Sequence, residues 1–236
     1  MRILKHQHLY QLTFMPRLFP VNCYLIEERD SLTLVDAAMT SSAAAILSAA
    51  ETIGKPIRKI VLSHAHADHI GALDKLKEAL PYAEVFMSET EWKLLSGAFT
   101  LKANDPPIKG GFPKNIKTKP NDFLLEGDRI DSLEVIAALG HSPGMLAFFD
   151  HRNGALIAGD SFQLRGGMAV AGDIRWRFPF PAWGTWNKEL SITSAQKLTD
   201  LEPKLLAVGH GDLLHHPVPN MQQAIQRAKK GLHFNA

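Results

Sequence analysis

Short apolar segments recur along the chain, and their pattern predicts strands. Each segment is rich in β-branched or aromatic residues and is bounded by turn residues, which is typical of strands in a folded protein. The segments predicted as strands are LYQLTF, VNCYLIEE, LTLVDA, IRKIVLS, AEVFMS, FLLEG, SLEVIAAL, MLAFFD, ALIAG and LLAVG. Helical patterns lie between several of them, so the order of elements predicts an α/β protein.

Five longer segments have the periodicity or the end signals of helices. Residues 40–53 are rich in Ala, with Thr40 or Ser41 as the expected N-cap and Gly54 at the end. In IGALDKLKEALP the apolar positions repeat at helical spacing, and Pro81 ends the helix. SETEWKLLSG begins with Ser and Glu three residues apart, which is the spacing of a capping box. The other two predicted helices cover residues 187–200 and 219–230.

Two long irregular segments, residues 98–122 and 161–187, interrupt this pattern. Loops of that length inside a compact domain are usually functional. No linker, charge block or low-complexity tract divides the sequence, so residues 1–236 are predicted to form one domain. We expect both loops to shape the pocket for a small-molecule substrate.

Composition and charge narrow the class of protein. Hydrophobic residues make up 45% of the chain and charged residues 21%, as in an ordinary folded protein. The net charge is only +2, which argues against a nucleic-acid partner. The sequence has neither the run of about 18 apolar residues that spans a membrane nor the apolar N-terminal stretch of an export signal. We therefore expect no membrane partner and a cytoplasmic location. The single cysteine, Cys23, excludes an internal disulfide and is expected to be buried.

Three of the 11 histidines lie within six residues, in a segment with the composition of a metal site. His64, His66, Asp68 and His69 lie in HAHADH, directly after the predicted strand IRKIVLS. Neutral imidazole and carboxylate groups are common ligands of zinc and similar ions. The small Ala residues between them favour a tight loop in which alternate side chains point toward one centre. This segment therefore predicts a metal site.

Three later residues belong to the same prediction. His141, Asp160 and His210 each follow the end of an apolar predicted strand and have glycine beside them. In α/β folds, sites form at the carboxyl ends of strands, and glycine allows close approach of the backbone.

Together these seven positions resemble the motif series HxHxDH, His, Asp, His of the metallo-β-lactamase superfamily. The resemblance extends over nearly the whole chain. It implies an αββα four-layer sandwich, in which two mixed β-sheets pack face to face with helices outside. It also implies a site along one edge of the sheets.

The resemblance further implies a role for each position. His64, His66 and His141 would bind one divalent ion, Asp68, His69 and His210 would bind a second, and Asp160 would bridge both. Zinc is the default metal, and iron, manganese or cobalt would fit the same ligands. A hydroxide that bridges the ions would be the nucleophile, and Asp68 is expected to be catalytic as well, by protonating the leaving group.

Several activities occur in this superfamily, and the sequence favours one class of them. His66 stands where the flavo-diiron oxygen reductases have Glu, which favours hydrolysis. The main hypothesis is therefore a binuclear hydrolase that attacks a carbonyl ester, a lactone or thioester, of a small and partly hydrophobic molecule. Glyoxalase II enzymes add a helical domain after the last histidine, whereas 26 residues follow His210 here. N-acyl-homoserine lactonases match the ligand series and are of similar size, so this activity stays a specific alternative, although many of them have Tyr where this chain has Gln163.

Two hypotheses outside ester hydrolysis stay open at the level of sequence. One is a mononuclear iron-dependent persulfide dioxygenase, since such enzymes keep much of the same motif. The second is a binding protein that retains metal without turnover.

The segment 161–187 is the expected wall of the substrate pocket because it concentrates aromatic and basic residues. The candidate substrate-binding residues are Phe162, Arg165, Trp176, Arg177, Phe180 and Trp183. An apolar wall with a cationic edge would suit a partly hydrophobic ester. A different interpretation is that these aromatic residues pack over the core or form a homodimer interface.

Overall fold

The computed structural model describes residues 1–100 and 102–233. Seven strands form the first sheet, in chain order from one edge to the other. They are β1 (Arg2–His6), β2 (Leu9–Phe14), β3 (Val21–Glu27), β4 (Leu32–Val35), β5 (Ile57–Val61), β6 (Glu84–Met87) and β7 (Asp122–Phe123). The strands β1 to β4 are antiparallel neighbours, whereas β4 to β7 run parallel. The first sheet is therefore mixed.

A second mixed sheet of six strands follows. Its strands are β8 (Arg129–Ile130), β9 (Leu133–Ala137), β10 (Leu146–Asp150), β11 (Ala155–Ile157), β14 (Leu205–Ala207) and β15 (Leu214–His215), while β12 (Phe162–Gln163) and β13 (Ala169–Val170) form a separate ribbon. The order across the sheet is β15-β14-β11-β10-β9-β8. The pair β11 and β14 is parallel, whereas the other pairs are antiparallel. Parallel strands need a long crossover connection, and the one between β11 and β14 includes a helix.

Helices cover the outer face of each sheet. They are α1 (Ala43–Ile53), α2 (Ala67–Ile70), α3 (Leu73–Ala79), α4 (Glu89–Leu95), α5 (Phe180–Trp183), α6 (Lys188–Asp200) and α7 (Val218–His233), with a 3₁₀ turn at Thr40–Ser42. Apolar residues of α1 and α3 pack against the first sheet, and those of α6 and α7 pack against the second. None of the helices in the described ranges is long and apolar enough to cross a membrane.

The buried apolar residues form three clusters, one between the two sheets and one between each sheet and its helices. Successive residues of a strand point to opposite faces, so they belong to different clusters. In β10, Leu146 and Phe148 face the space between the sheets, where they pack with Tyr24 and Ile26 of β3. Ala147, the residue between them, faces α6 and α7. The two sheets therefore pack face to face between helices, which confirms the predicted αββα four-layer sandwich.

The predicted elements are largely confirmed, with instructive exceptions. Gly54 ends α1 with φ +80°, as predicted, but neither Thr40 nor Ser41 provides a side-chain cap. The single helix expected from Ile70 is two short helices, because the tight HAHADH segment begins α2 at Ala67 and the chain restarts as α3. The segment 161–187 is not one irregular loop, since it contains β12, β13 and α5. Between α4 and β7, the described residues form no helix or strand, as expected for the first loop.

Candidate metal centre

The chain turns after four strands bring the seven predicted ligands together at one edge of the sandwich. His64 and His66 follow β5, whereas Asp68 and His69 lie on α2. The remaining three follow strands of the second sheet: His141 after β9, Asp160 after β11 and His210 after β14. All of them are buried except Asp68, which is half-buried.

Three histidines form the first group of converging nitrogen atoms. The Nδ1 atom of His66 lies 3.1 Å from Nε2 of His64 and 3.0 Å from Nε2 of His141. Ligand atoms of these three residues all lie within 4.8 Å of one another. This spacing is compatible with three nitrogen ligands of a single cation.

The second group combines imidazole and carboxylate. Ligand atoms of Asp68, His69 and His210 also lie within 4.8 Å of one another, and Nε2 of His210 is 3.5 Å from Oδ2 of Asp68. Asp160 lies between the two groups. Its Oδ2 is 3.2 Å from Nε2 of His210 and 3.4 Å from Nε2 of His141, whereas Oδ1 is 3.4 Å from Nε2 of His69.

The outer nitrogen of each imidazole faces a fixed partner, which orients the ring. His69 Nδ1 is 2.8 Å from a carboxylate oxygen of Asp36, and His210 Nδ1 is 2.7 Å from the Pro20 carbonyl. His141 Nδ1 is 3.2 Å from Thr185 Oγ1.

The outer nitrogens of the other two rings, those of His64 and His66, also face fixed partners. His64 Nδ1 is 3.0 Å from Ser63 Oγ, which itself donates to Asp36. His66 has the opposite orientation, because its Nε2 faces the Lys109 carbonyl at 3.1 Å and its Nδ1 faces the centre.

Burial keeps the first group of histidines neutral. It lowers the pKa of His64 well below the ordinary value, and nearby imidazoles act in the same direction. Burial also lowers the pKa of His66, against the attraction of nearby carboxylates, and that of His141 to about 3. Neutral imidazole is the form that binds a metal ion.

The carboxylate of Asp160 dominates the electrostatics of the second group. Burial alone would lower the pKa of His69 and His210, but Asp160 raises both. Burial alone would also raise the pKa of Asp160, and the two histidines lower it far below the ordinary value. The carboxylate is therefore ionised at neutral pH, as a metal ligand must be.

Two facing atoms in this cluster have no hydrogen-bond partner among the residues that the structure describes. His69 Nε2 and Asp160 Oδ1 are both buried, and they lie 3.4 Å apart. Buried polar atoms are normally satisfied, so such a pair needs an explanation. A cation between them would satisfy both, and the donor set of imidazole and carboxylate suits a divalent transition-metal ion. The residues present therefore fit the predicted group.

A cleft of about 300 Å³ leads to these side chains. Its lining residues are Phe19, His66, Ala67, Asp68, Gly110, Gly111, His141, Asp160, Phe180, Pro181, Gly184 and His210. One wall is aromatic, because Phe19 packs against Phe180 with ring centroids 5.1 Å apart. Gly110 and Gly111 of the first loop, which begins at residue 98, also line the cleft. Both loops therefore contribute to the wall of the cleft.

The candidate substrate-binding residues have different positions. Phe180 lines the cleft. The Trp183 ring packs against the Phe180 ring with centroids 5.7 Å apart, and 57% of the Trp183 surface is exposed. Phe162 does not line the cleft as expected, because pairing of β12 with β13 turns its side chain into the core beneath α6 and α7. Arg165 lines a different cleft and donates to the Arg17 carbonyl.

Trp176 and Arg177 also lie away from the lining of the cleft. Both side chains are exposed, and 83% of the Trp176 surface is accessible to solvent. They precede the buried Phe178, whose ring packs against Phe19 and His210 instead. The expectation of a cationic edge at the cleft therefore does not describe the observed lining.

Sequence reasoning missed two buried carboxylates beside the site. Asp36 follows β4 just as Asp160 follows β11, so its position after an apolar strand was a usable signal. Glu91 occupies the capping-box position that predicts a bond back to the start of α4. Instead, its carboxylate accepts hydrogen bonds from the loops that carry the predicted ligands.

Comparison with known proteins identifies the family. The family model of the metallo-beta-lactamase superfamily matches residues 16–210, so the chain belongs to this superfamily. It is 54% identical over 233 residues to the uncharacterized protein YobT of Bacillus subtilis (strain 168), covering 98% of this chain and 100% of YobT. The probable metallo-hydrolase YflN of the same organism is 28% identical over 214 residues, 80% of each chain.

A solved structure supports the same assignment. The crystal structure of TTHA1623 in a di-iron-bound form has a TM-score of 0.64 and 26% sequence identity, and the match covers 89% of this chain and 96% of that chain. With the superfamily match and the metallo-hydrolase relative, this protein is a metal-dependent hydrolase.

Proposed function

We propose that the protein is a binuclear hydrolase of a carbonyl ester, a lactone or thioester, in a small and partly hydrophobic molecule. The observation that carries the proposal is the convergence of seven His and Asp side chains at the base of a cleft with an aromatic wall. Two facing atoms of this cluster, His69 Nε2 and Asp160 Oδ1, are buried and have no hydrogen-bond partner among the described residues.

Each group of side chains is assigned one divalent ion. His64, His66 and His141 would hold the first, Asp68, His69 and His210 the second, and Asp160 would contact both. Two bound ions would polarise the substrate carbonyl and lower the pKa of a water ligand, which supplies a nucleophile at neutral pH. The di-iron form of TTHA1623 supports a pair of ions in this family, and we propose zinc as the default metal here.

Asp68 is the proposed proton donor to the leaving group. Its carboxyl group is the half-buried member of the cluster and lines the cleft, so it is accessible to a bound substrate. Its position on α2 is fixed because the Ala67 N–H donates to the Gly111 carbonyl at 2.8 Å. The Asp68 carboxylate would first accept the proton that the attacking water loses. It would then pass this proton to the departing oxygen or sulfur as the carbonyl–heteroatom bond breaks.

The lining of the cleft favours an uncharged ester. Outside the His and Asp side chains, it consists of Phe19, Phe180, Pro181, Ala67 and three glycines. Phe19 also contacts the His210 ring, with centroids 5.3 Å apart, so an apolar group of the substrate would lie beside the second group of ligands. These aromatic rings would hold an acyl chain and exclude water from the reacting carbonyl.

Metal analysis beside a substrate panel tests the proposal. The purified protein is analysed for metal content and assayed on lactones, thioesters and phosphodiesters of increasing chain length. We expect about two ions per chain and turnover of a lactone or thioester. One iron per chain with oxygen uptake would overturn the proposal in favour of a dioxygenase, and two ions without turnover of any ester would favour a binding protein.

Substitution of the ligands tests the assignment of the site. His66→Ala and Asp160→Ala should each lose metal and reduce kcat/KM by at least about a thousandfold, since binding and nucleophile generation both depend on the ions. His8→Ala is the matched control, because His8 is exposed. Turnover in His66→Ala at the rate of His8→Ala would refute the site assignment.

A further inference from the structure

Glu91 is a buried carboxylate that none of the proposed chemistry uses. It lies in the first turn of α4 and has no exposed surface. Its Oε1 accepts hydrogen bonds from Ser142 Oγ at 2.6 Å and from the Gly144 N–H at 2.7 Å. Its Oε2 accepts from the Ala65 N–H at 2.8 Å.

These three donors belong to the two loops that carry the first group of ligands. Ala65 stands between His64 and His66, whereas Ser142 and Gly144 come one and three residues after His141. His66 and His141 are 75 residues apart in sequence, yet His66 Nδ1 and His141 Nε2 lie 3.0 Å apart. One carboxylate thus bonds to both sides of this contact.

A capping role does not account for this side chain. The α4 helix is already capped by Ser88, whose Oγ accepts from the Glu91 N–H at 3.2 Å. Glu side chains are mostly exposed, whereas Glu91 is buried, and burial raises its pKa to about 7 against the effect of its three donors. The fit is also tight, because a Cβ atom at Gly144 would lie 2.5 Å from Ser88 Oγ and 2.9 Å from the Glu91 nitrogen.

We infer that Glu91 is a positioning residue, which fixes the loop of His64 and His66 against the loop of His141 and so sets the geometry of the first metal position. The inference rests on the proposed function for the identity of the ion. The hydrogen bonds themselves do not depend on it.

Glu91→Gln and Glu89→Gln form a matched pair of variants. In Glu91→Gln only one acceptor oxygen remains, so the side chain cannot serve both loops, and its amide N–H faces a donor. Glu89 lies in the same turn of α4 but is exposed, with its carboxylate 3.0 Å from Lys93 Nζ. Both substitutions replace a carboxyl group by an amide in the same helix turn.

Zinc affinity and a cobalt spectrum report the geometry of the site. By competition with a chromophoric chelator, we expect one zinc ion to bind about tenfold more weakly to Glu91→Gln and with unchanged affinity to Glu89→Gln. The visible spectrum of Co²⁺-loaded protein, which depends on ligand geometry, should change only in Glu91→Gln. Ser142→Ala, which removes one of the three donors, should weaken zinc binding in the same direction, and it decides the question if Glu91→Gln does not fold.

Hydrogen exchange separates this inference from the proposed function. In metal-free protein, the Ala65 and Gly144 amides should exchange faster in Glu91→Gln than in Glu89→Gln. Equal zinc affinities and cobalt spectra in the two variants, with only a lower Tm for Glu91→Gln, would overturn the inference. Wild-type protein that binds no metal would instead refute the proposed function, and amide exchange would still show whether Glu91 joins the loops.

Discussion

The orientation of the His66 ring depends on one glycine. His66 turns Nδ1 toward the centre, whereas His64 and His141 use Nε2, because the Lys109 carbonyl faces the outer nitrogen of His66. Gly110 follows directly with φ +96°, a left-handed conformation that L side chains rarely adopt. The backbone approaches the ring so closely that a Cβ atom there would lie 2.0 Å from Nε2.

Gly110→Ala should therefore displace His66 from the first group. We expect the variant to bind about one metal ion fewer per chain and to lose at least about tenfold in zinc affinity, since the ring must rotate or the loop must move. Gly111→Ala is the control, because apart from the glycine itself and its chain neighbours no heavy atom of the described residues lies within 4 Å of the Cβ position there. Metal content measured on both purified variants checks the prediction, and equal values would contradict it.

At the scale of elements, the first loop is held to the site by a small number of bonds. The Trp186 Nε1–H donates to the Pro106 carbonyl at 2.8 Å, and the Ala67 N–H donates to the Gly111 carbonyl at 2.8 Å. Trp186 precedes α6, and its backbone N–H donates to the His141 carbonyl at 3.0 Å. The segment that leads into α6 therefore connects the His141 loop to the first loop.

Trp186→Phe should loosen the first loop without changing the fold. The substitution removes a hydrogen bond worth about 1 kcal/mol, which corresponds to about fivefold more of the open loop. Trypsin cleavage after Lys109 should then accelerate about fivefold, as measured by mass spectrometry of timed digests. Trp176→Phe is the control, because Trp176 is 83% exposed. Equal cleavage rates in the two variants would show that the Trp186 bond does not hold the loop.

The sequence predicted the elements and the seven candidate ligands because both depend on local signals. Strand alternation, Gly54 and the strand-end positions of His141, Asp160 and His210 are visible in a short window of sequence. The side-chain positions in segment 161–187 were less predictable. Phe162 became core through pairing with β13, and a strand of two residues has no detectable periodicity. The role of Glu91 depends on contacts with loops 26 and 51 residues away, which no local pattern shows.

On the scale of the whole molecule, the core is separate from the metal centre. Within the described ranges, the three clusters of buried apolar residues contain none of the seven ligands. The sheets are also joined beside the site by buried hydrogen bonds, since the Tyr24 hydroxyl and the Asn22 amide both donate to the Val208 carbonyl, at 2.6 and 2.8 Å. The sandwich should therefore persist without metal, and bound ions should stabilise it only by mass action.

Removal of metal with a chelator tests this separation. A ligand at a hundred times its Kd stabilises a protein by about 2.7 kcal/mol, which for a chain of this size corresponds to a Tm about 5–10 °C higher. We expect the metal-free protein to keep its circular dichroism spectrum and to melt cooperatively at the lower Tm. Cys23 provides a second measurement, because it is fully buried and burial raises the pKa of its thiol well above the ordinary value. The thiol should resist labelling in both forms and react once guanidinium unfolds the chain, whereas rapid labelling after chelation alone would mean that the fold depends on the metal.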